Sequence, residues 1–80
     1  MGEKYIIETK ILNQLTQEFK TLKTEIFYNY GDAREYYFEK SADCIENGMK
    51  LVYCNIEEEI KERHYSDGQF TYMIIFYKED

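Results

Sequence analysis

The fold is decided by residues 66–77, which read Ser66-Asp67-Gly68-Gln69-Phe70-Thr71-Tyr72-Met73-Ile74-Ile75-Phe76-Tyr77. The Asp-Gly pair predicts the tight turn of a β-hairpin, because glycine adopts the positive φ that such a turn requires. The run after the turn is apolar or aromatic on both of its alternating faces. We therefore expect it to form a central strand of a sheet, covered on both sides.

The segment before this turn, residues 55–64, is compatible with two conformations. As a helix it would begin at Asn55, and Glu58 would complete a capping box. As a strand it would pair with residues 70–77 across the Asp-Gly turn. We favour the strand, so that residues 51–77 form one long hairpin. In both conformations the acidic side chains of this segment are exposed and close together: Glu57, Glu58, Glu59 and Glu62.

The N-terminal third carries apolar residues at the spacing of an amphipathic helix. They recur at steps of three or four: Ile7, Ile11, Leu15, Phe19, Leu22 and Ile26. Such steps place side chains on one face of an α-helix. We place this helix at about residues 9–24, with Thr9 as its N-cap, and expect it to cover the sheet. Tyr5-Ile6-Ile7 forms either its first turn or a short strand.

A second hairpin is predicted around Gly31-Asp32. This pair separates two aromatic-rich runs, residues 26–30 and 35–40, that have strong β propensity. So many tyrosines cannot all be interior in a small sheet. Some of them must lie at the surface, where aromatic side chains often form contact patches.

The segment between this hairpin and the C-terminal one is ambiguous. Asn47-Gly48 favours another hairpin turn, whereas Ser41 could begin a single helical turn that ends at Gly48. We favour the hairpin. The sequence therefore predicts an α+β fold in a single domain, residues 1–80. Its one N-terminal amphipathic helix would pack on an antiparallel sheet of about four strands, arranged as a meander of hairpins.

The charge of the chain is negative and unevenly distributed. The 80 residues carry ten bases and sixteen acids, a net charge of −6. Residues 1–24 hold three acids and four lysines (+1), so residues 25–80 hold thirteen acids and six bases (−7). Such a surface repels phosphate backbones, which argues against direct binding of nucleic acid and favours a basic protein partner.

No pattern in the sequence predicts catalysis or a bound metal. Two cysteines, Cys44 and Cys54, are too few for a disulfide framework. Together with the single histidine, His64, they are also too few for a four-ligand zinc site. No activating sequence surrounds a Cys–His pair that could act as a nucleophile and base. We find no phosphate loop and no calcium-loop pattern. We therefore expect no enzyme activity, no cofactor and no metal. Because an apolar signal segment and a run of about 18 apolar residues are both missing, we expect a cytoplasmic protein without membrane contact.

The acidic residues are the best candidates for function. Along a strand, side chains on one face repeat about every 6.6–6.8 Å, so alternating carboxylates form a regular row of negative charge. Flanked by tyrosines, such a row can fill a basic groove that otherwise holds nucleic acid. We predict the following partner-binding residues: Glu57, Glu58, Glu59, Glu62, Asp67, Glu35, Glu39, Tyr36 and Tyr65.

In size and negative charge the chain is similar to the small acidic inhibitor proteins that phages and mobile elements encode against host nucleases, including the anti-CRISPR proteins. This resemblance implies a nucleic-acid mimic that blocks the basic groove of a nuclease or other nucleic-acid-binding enzyme in the host cytoplasm. The alternative is a general interaction module. Examples are a toxin-neutralising immunity protein and a homodimer joined through its tyrosine-bearing strands.

Overall fold

The computed structural model describes residues 3–57 and 60–79, which form one antiparallel sheet and one helix. In chain order the elements are β1 (Lys4–Asn13), β2 (Glu18–Phe27), α1 (Tyr30–Glu46), β3 (Lys50–Ile56), β4 (Ile60–Ser66) and β5 (Phe70–Glu79). The strands lie in the order β2-β1-β5-β4-β3. The C-terminal strand is therefore the centre of the sheet, and β2 and β3 are its edges.

The predicted hairpin at the C-terminal end of the chain is confirmed by β4 and β5. Gly68 at the turn has a φ of +101°. The Asp67 carboxylate accepts hydrogen bonds from the backbone N–H groups of Gln69 (3.0 Å) and Phe70 (2.9 Å). These local contacts fix the turn, and β5 then pairs with β4 on one side and β1 on the other.

The predicted N-terminal helix at residues 9–24 is wrong, because β1 and β2 form a hairpin there. At the reversal, the Asn13 Oδ1 accepts a hydrogen bond from the N–H of Leu15 (3.0 Å), and Gln17 has a φ of 63°. A step of four residues is even, so it places side chains on one face of a strand as well as of a helix. The β-branched residues of β1 favour the strand.

The predicted hairpin around Gly31-Asp32 is also wrong, because α1 occupies this segment. The Asn29 Oδ1 accepts a hydrogen bond from the Asp32 N–H at 3.2 Å and caps the helix. The buried residues of α1 follow steps of four, four and three: Ala33, Tyr37, Ser41 and Cys44. The aromatic-rich run at residues 35–40 is therefore helical, and of its three aromatic residues Tyr37 lies on the buried face.

The predicted hairpin turn at Asn47-Gly48 is instead the C-terminal end of α1. Gly48 has a φ of +82°. The N–H groups of Gly48 and Met49 each donate to a carbonyl oxygen of the last helical turn, both at 3.0 Å. These bonds satisfy carbonyl groups that a helix end leaves open. Ser41, the alternative start of a short helical turn, lies in the interior of α1.

Residues 55–64 are divided between two strands. β3 ends at Ile56 and β4 begins at Ile60, so the strand conformation is confirmed at both ends of the segment. The prediction of one long hairpin over residues 51–77 is wrong, because β3 and β4 are separate strands that pair antiparallel with each other. Glu58 and Glu59, which lie between them, are outside the described residues. The predicted fold class is corrected accordingly: the sheet has five strands rather than about four, and the helix is central in the chain rather than N-terminal.

The helix covers one face of the sheet. On that face the core includes Ile7, Tyr65 and Ile74, each exposed by 1% or less. The opposite face has no covering element within residues 3–57 and 60–79, and there Ile6 and Met73 are buried by neighbouring side chains alone. The expectation that β5 is covered on both sides is therefore wrong.

Candidate protein-binding surface

The outward face of α1 carries a regular line of carboxylates. We call it the acidic stripe, and its members are Asp32, Glu35, Glu39, Asp43 and Glu46. At about 100° per residue, these positions fall within an arc of roughly 80°, centred opposite the buried face of the helix. All of them are exposed. The packing that buries one face of α1 thus fixes the direction in which the acidic stripe points.

Within residues 3–57 and 60–79, the carboxylates of the acidic stripe form no ion pair with a base. In the part of the chain that the structure describes, the ion pairs join residues outside the helix. The two bases of α1 lie over aromatic rings instead: Arg34 Cζ is 4.8 Å from the Phe38 ring centroid and Lys40 Nζ is 5.2 Å from that of Tyr36. The five acids and two bases give α1 a charge of −3, half of the net charge of −6.

The C-terminal end of the acidic stripe opposes the helix dipole. Asp43 and Glu46 lie in the last turn of α1, which contains no basic residue. Negative charge at this end costs about 0.3–1 kcal/mol per residue at low ionic strength. Asp32, in the first turn, stabilises the helix for the same reason. The stripe therefore extends to the end of the helix at a cost in stability.

Apolar side chains lie beside the acidic stripe. Phe38 and Ile45 are on one flank of the helix, 40% and 60% exposed. On the other flank, the Tyr36 ring packs against Phe27 with a centroid distance of 5.2 Å and is only partly exposed. Exposed apolar groups next to unpaired charge are typical of contact surfaces.

Two predicted partner-binding residues, Glu35 and Glu39, belong to the acidic stripe. Glu57 is exposed just after the end of β3. Glu62 lies on the open face of the sheet, where its carboxylate contacts the His64 imidazole. The row predicted around Glu57 and Glu62 therefore lies apart from the helical carboxylates. Its members Glu58 and Glu59 lie outside the described residues.

Of the other predicted contact residues, Tyr36 lies beside the acidic stripe, whereas Tyr65 and Asp67 have structural roles. Tyr65 is buried in the core, so its ring is not available to a partner. The Asp67 carboxylate accepts the backbone N–H groups of Phe70 and Gln69, and these bonds lower its pKa below the usual range. Asp67 thus holds the hairpin turn, although it is exposed at the tip.

Sequence reasoning missed three members of the acidic stripe: Asp32, Asp43 and Glu46. The signal was present, because the acids from Asp32 to Glu46 recur at steps of three, four, four and three. It was hidden by the interpretation of the segment as strands, in which odd steps send side chains to opposite faces. These acids lie on one face only when the segment is a helix.

The cysteines provide neither a disulfide nor a metal site in the described chain. Cys44 is buried on the inward face of α1, and burial raises the pKa of its thiol to about 11. Cys54 is exposed on β3, opposite Arg63 of β4. Within the described residues no group of His, Cys, Asp and Glu is placed to hold a metal ion.

Comparison of the chain with protein-family models, curated proteins and solved structures finds no match. The helix of the described chain is neither long nor apolar enough to cross a membrane.

Proposed function

We propose that this protein is a small acidic binding protein that inhibits a nucleic-acid-handling enzyme by covering the basic groove of that enzyme. The acidic stripe is the contact surface. The observation that carries the proposal is a line of five outward carboxylates, none paired with a base of the described chain. Host nucleases and nuclease toxins both present grooves of the required charge.

The dimensions of the acidic stripe suit such a groove. From Asp32 to Glu46 the helix rises by about 21 Å, or about 5 Å per carboxylate at 1.5 Å per residue. One DNA strand carries a charge about every 3.4 Å along the helix axis. The stripe is thus a straight, rigid anion of similar length scale. It would meet arginine and lysine side chains that otherwise hold phosphates.

The contact would depend strongly on ionic strength. Exposed carboxylates attract a basic partner over long range and raise the association rate, and salt screens this attraction over about 10 Å at 0.1 M. Phe38 and Ile45 beside the stripe add apolar area that salt does not screen. We therefore expect fast association, with an affinity that falls steeply as salt is raised.

The experiment compares two variants that change the net charge equally. The stripe variant carries Glu35→Gln, Glu39→Gln, Asp43→Asn and Glu46→Gln. The row variant carries Glu57→Gln, Glu58→Gln, Glu59→Gln and Glu62→Gln. Each removes four charges, from −6 to −2. A difference between them therefore localises the contact rather than reporting total charge.

Each variant and the parent are immobilised and used to capture proteins from a host lysate, and mass spectrometry identifies what is bound. The parent and the row variant should retain the same basic nucleic-acid-binding protein, and about 200 mM salt should release it. The stripe variant should not retain it. Equal capture by the stripe variant and the parent would contradict the proposal, as would capture lost only by the row variant.

A further inference from the structure

The edge strand β3 presents an apolar surface with no partner strand in the described chain. It pairs with β4 alone, so its outer backbone N–H and C=O groups face away from the sheet. Its large apolar side chains are between 47% and 76% exposed: Leu51, Val52, Tyr53 and Ile56. A bulge interrupts the pairing at Val52, and the four residues after it continue in regular register.

The opposite edge of the same sheet provides a contrast. β2 carries four charged residues among ten: Glu18, Lys20, Lys23 and Glu25. Charges on an edge strand prevent pairing with another chain. β3 carries one, Lys50 at its first position, among seven residues. One edge of the sheet is therefore protected, whereas the other has the composition of a strand that pairs.

We propose that β3 pairs antiparallel with β3 of a second copy of this chain, forming a two-fold symmetric dimer. The charges at the two ends of β3 favour a second copy of the chain as the partner and an antiparallel direction of pairing. Lys50 begins β3, and Glu57 follows its last residue. Antiparallel pairing brings the lysine of each copy beside the glutamate of the other, whereas parallel pairing would align like charges.

The dimer would join the two sheets into one. A two-fold axis perpendicular to the sheet relates the two copies, so the helix-covered faces of both copies lie on the same side of the joined sheet. Both helices, with their acidic stripes, therefore lie on the same face of the dimer. This inference rests on β3 alone and does not depend on the proposed partner of the stripe.

The first test is the mass of the full-length protein by sedimentation equilibrium over a range of concentrations. The parent should reach twice its chain mass of 9.8 kDa. Val52→Lys, which places a charge on the exposed edge, should remain a monomer. Leu22→Lys, a matched change at an exposed apolar residue of β2, should dimerise as the parent does. Circular dichroism establishes that both variants are folded.

A charge exchange tests the direction of pairing. Within one copy, Lys50 and Glu57 are about 23 Å apart at ~3.3 Å per residue, so they cannot pair with each other. Lys50→Glu and Glu57→Lys should each weaken the dimer, and the double variant should restore it. Restoration would come only from contact between the two copies.

Three results would overturn the inference. The first is a parent protein that remains a monomer at every concentration. A monomer whose β3 binds an extended peptide instead of a second copy counts as this result. The second is a dimer that Val52→Lys leaves intact. The third is dissociation of the dimer by Ile60→Lys but not by Val52→Lys. Ile60 lies on the open face of the sheet, so this result would place the interface on that face.

Discussion

Tyr37 of α1 is buried between the helix and the sheet. Its ring lies 5.4 Å from the Phe76 ring centroid, and Arg63 Cζ lies 5.4 Å from the Tyr37 ring centroid on another side. The hydroxyl is buried and makes no hydrogen bond within the described residues. Burial of this group raises the pKa of Tyr37 to about 12.

This raised pKa makes stability depend on alkaline pH. In the unfolded chain a tyrosine loses its proton near pH 10, whereas the folded protein holds the proton of Tyr37 up to about pH 12. The contribution is therefore complete below pH 10 and is lost as pH rises from 10 to 12. We expect Tyr37→Phe to remove this loss, on the order of 2 kcal/mol, as measured by urea unfolding at several pH values.

At neutral pH the same substitution removes an unsatisfied buried hydroxyl. Tyr37→Phe should leave the free energy of unfolding unchanged or raise it by about 1 kcal/mol. Tyr28→Phe, at an exposed residue, is the control and should alter neither the stability nor its pH dependence. If Tyr37→Phe destabilised the protein by more than about 1 kcal/mol, the hydroxyl would have a partner and the packing described here would be incorrect.

At the scale of the element, the helix places acids at both of its ends, and the dipole gives them opposite effects. Asp43→Asn with Glu46→Gln should stabilise the protein by about 0.6–2 kcal/mol at low ionic strength, because both remove negative charge near the negative end. Asp32→Asn, at the positive end, should destabilise it by about 0.3–1 kcal/mol. Urea unfolding at low and high salt measures both effects.

Binding by the same variants distinguishes function from stability. If the acidic stripe is the contact surface, Asp43→Asn with Glu46→Gln should weaken partner binding although it stabilises the fold. A helix retained for stability alone would give stronger or unchanged binding in that variant. Stabilisation by Asp32→Asn would show that the dipole does not govern these charges.

The elements differ in how far the sequence alone could predict them. The hairpin at Asp67-Gly68 was predictable because its turn is held by contacts within four residues. The β1–β2 hairpin was not, because apolar steps of four suit either conformation and pairing across the sheet decides between them. The helix was missed because aromatic residues such as Tyr37 have strong β propensity, which tertiary packing overrides.

The candidate surface was predicted in part for the same reason. Glu35 and Glu39 were predicted as contact residues on a strand, whereas the structure places them in the middle of a line of carboxylates on a helix. Glu62 was placed correctly on a strand, yet its contact with His64 could not be read from sequence. The charge composition predicts a basic partner, and this stays a prediction. The arrangement of the carboxylates in a line follows from the helical conformation of residues 30–46, which the sequence analysis did not predict.

At the scale of the whole molecule, the fold places the acidic stripe and the apolar edge strand β3 on different parts of the surface. The covered face of the sheet carries α1, and the acidic stripe points away from the core. The apolar edge β3 lies at one side of the sheet, and the charged edge β2 lies at the other. A net charge of −6 repels phosphate backbones, and the helix, with a charge of −3, carries half of it. Partner binding and self-association can therefore use different parts of one small fold.

The most direct test of the central claim is the association rate constant of the captured partner, measured by stopped-flow mixing at about 50 mM salt with the stripe variant and the row variant. These have the same net charge, so long-range attraction by total charge is matched. The account predicts a rate at least about tenfold lower for the stripe variant, with a weak salt dependence, and a nearly parental rate for the row variant. Equal rates for the two variants, or a slower rate for the row variant alone, would contradict it.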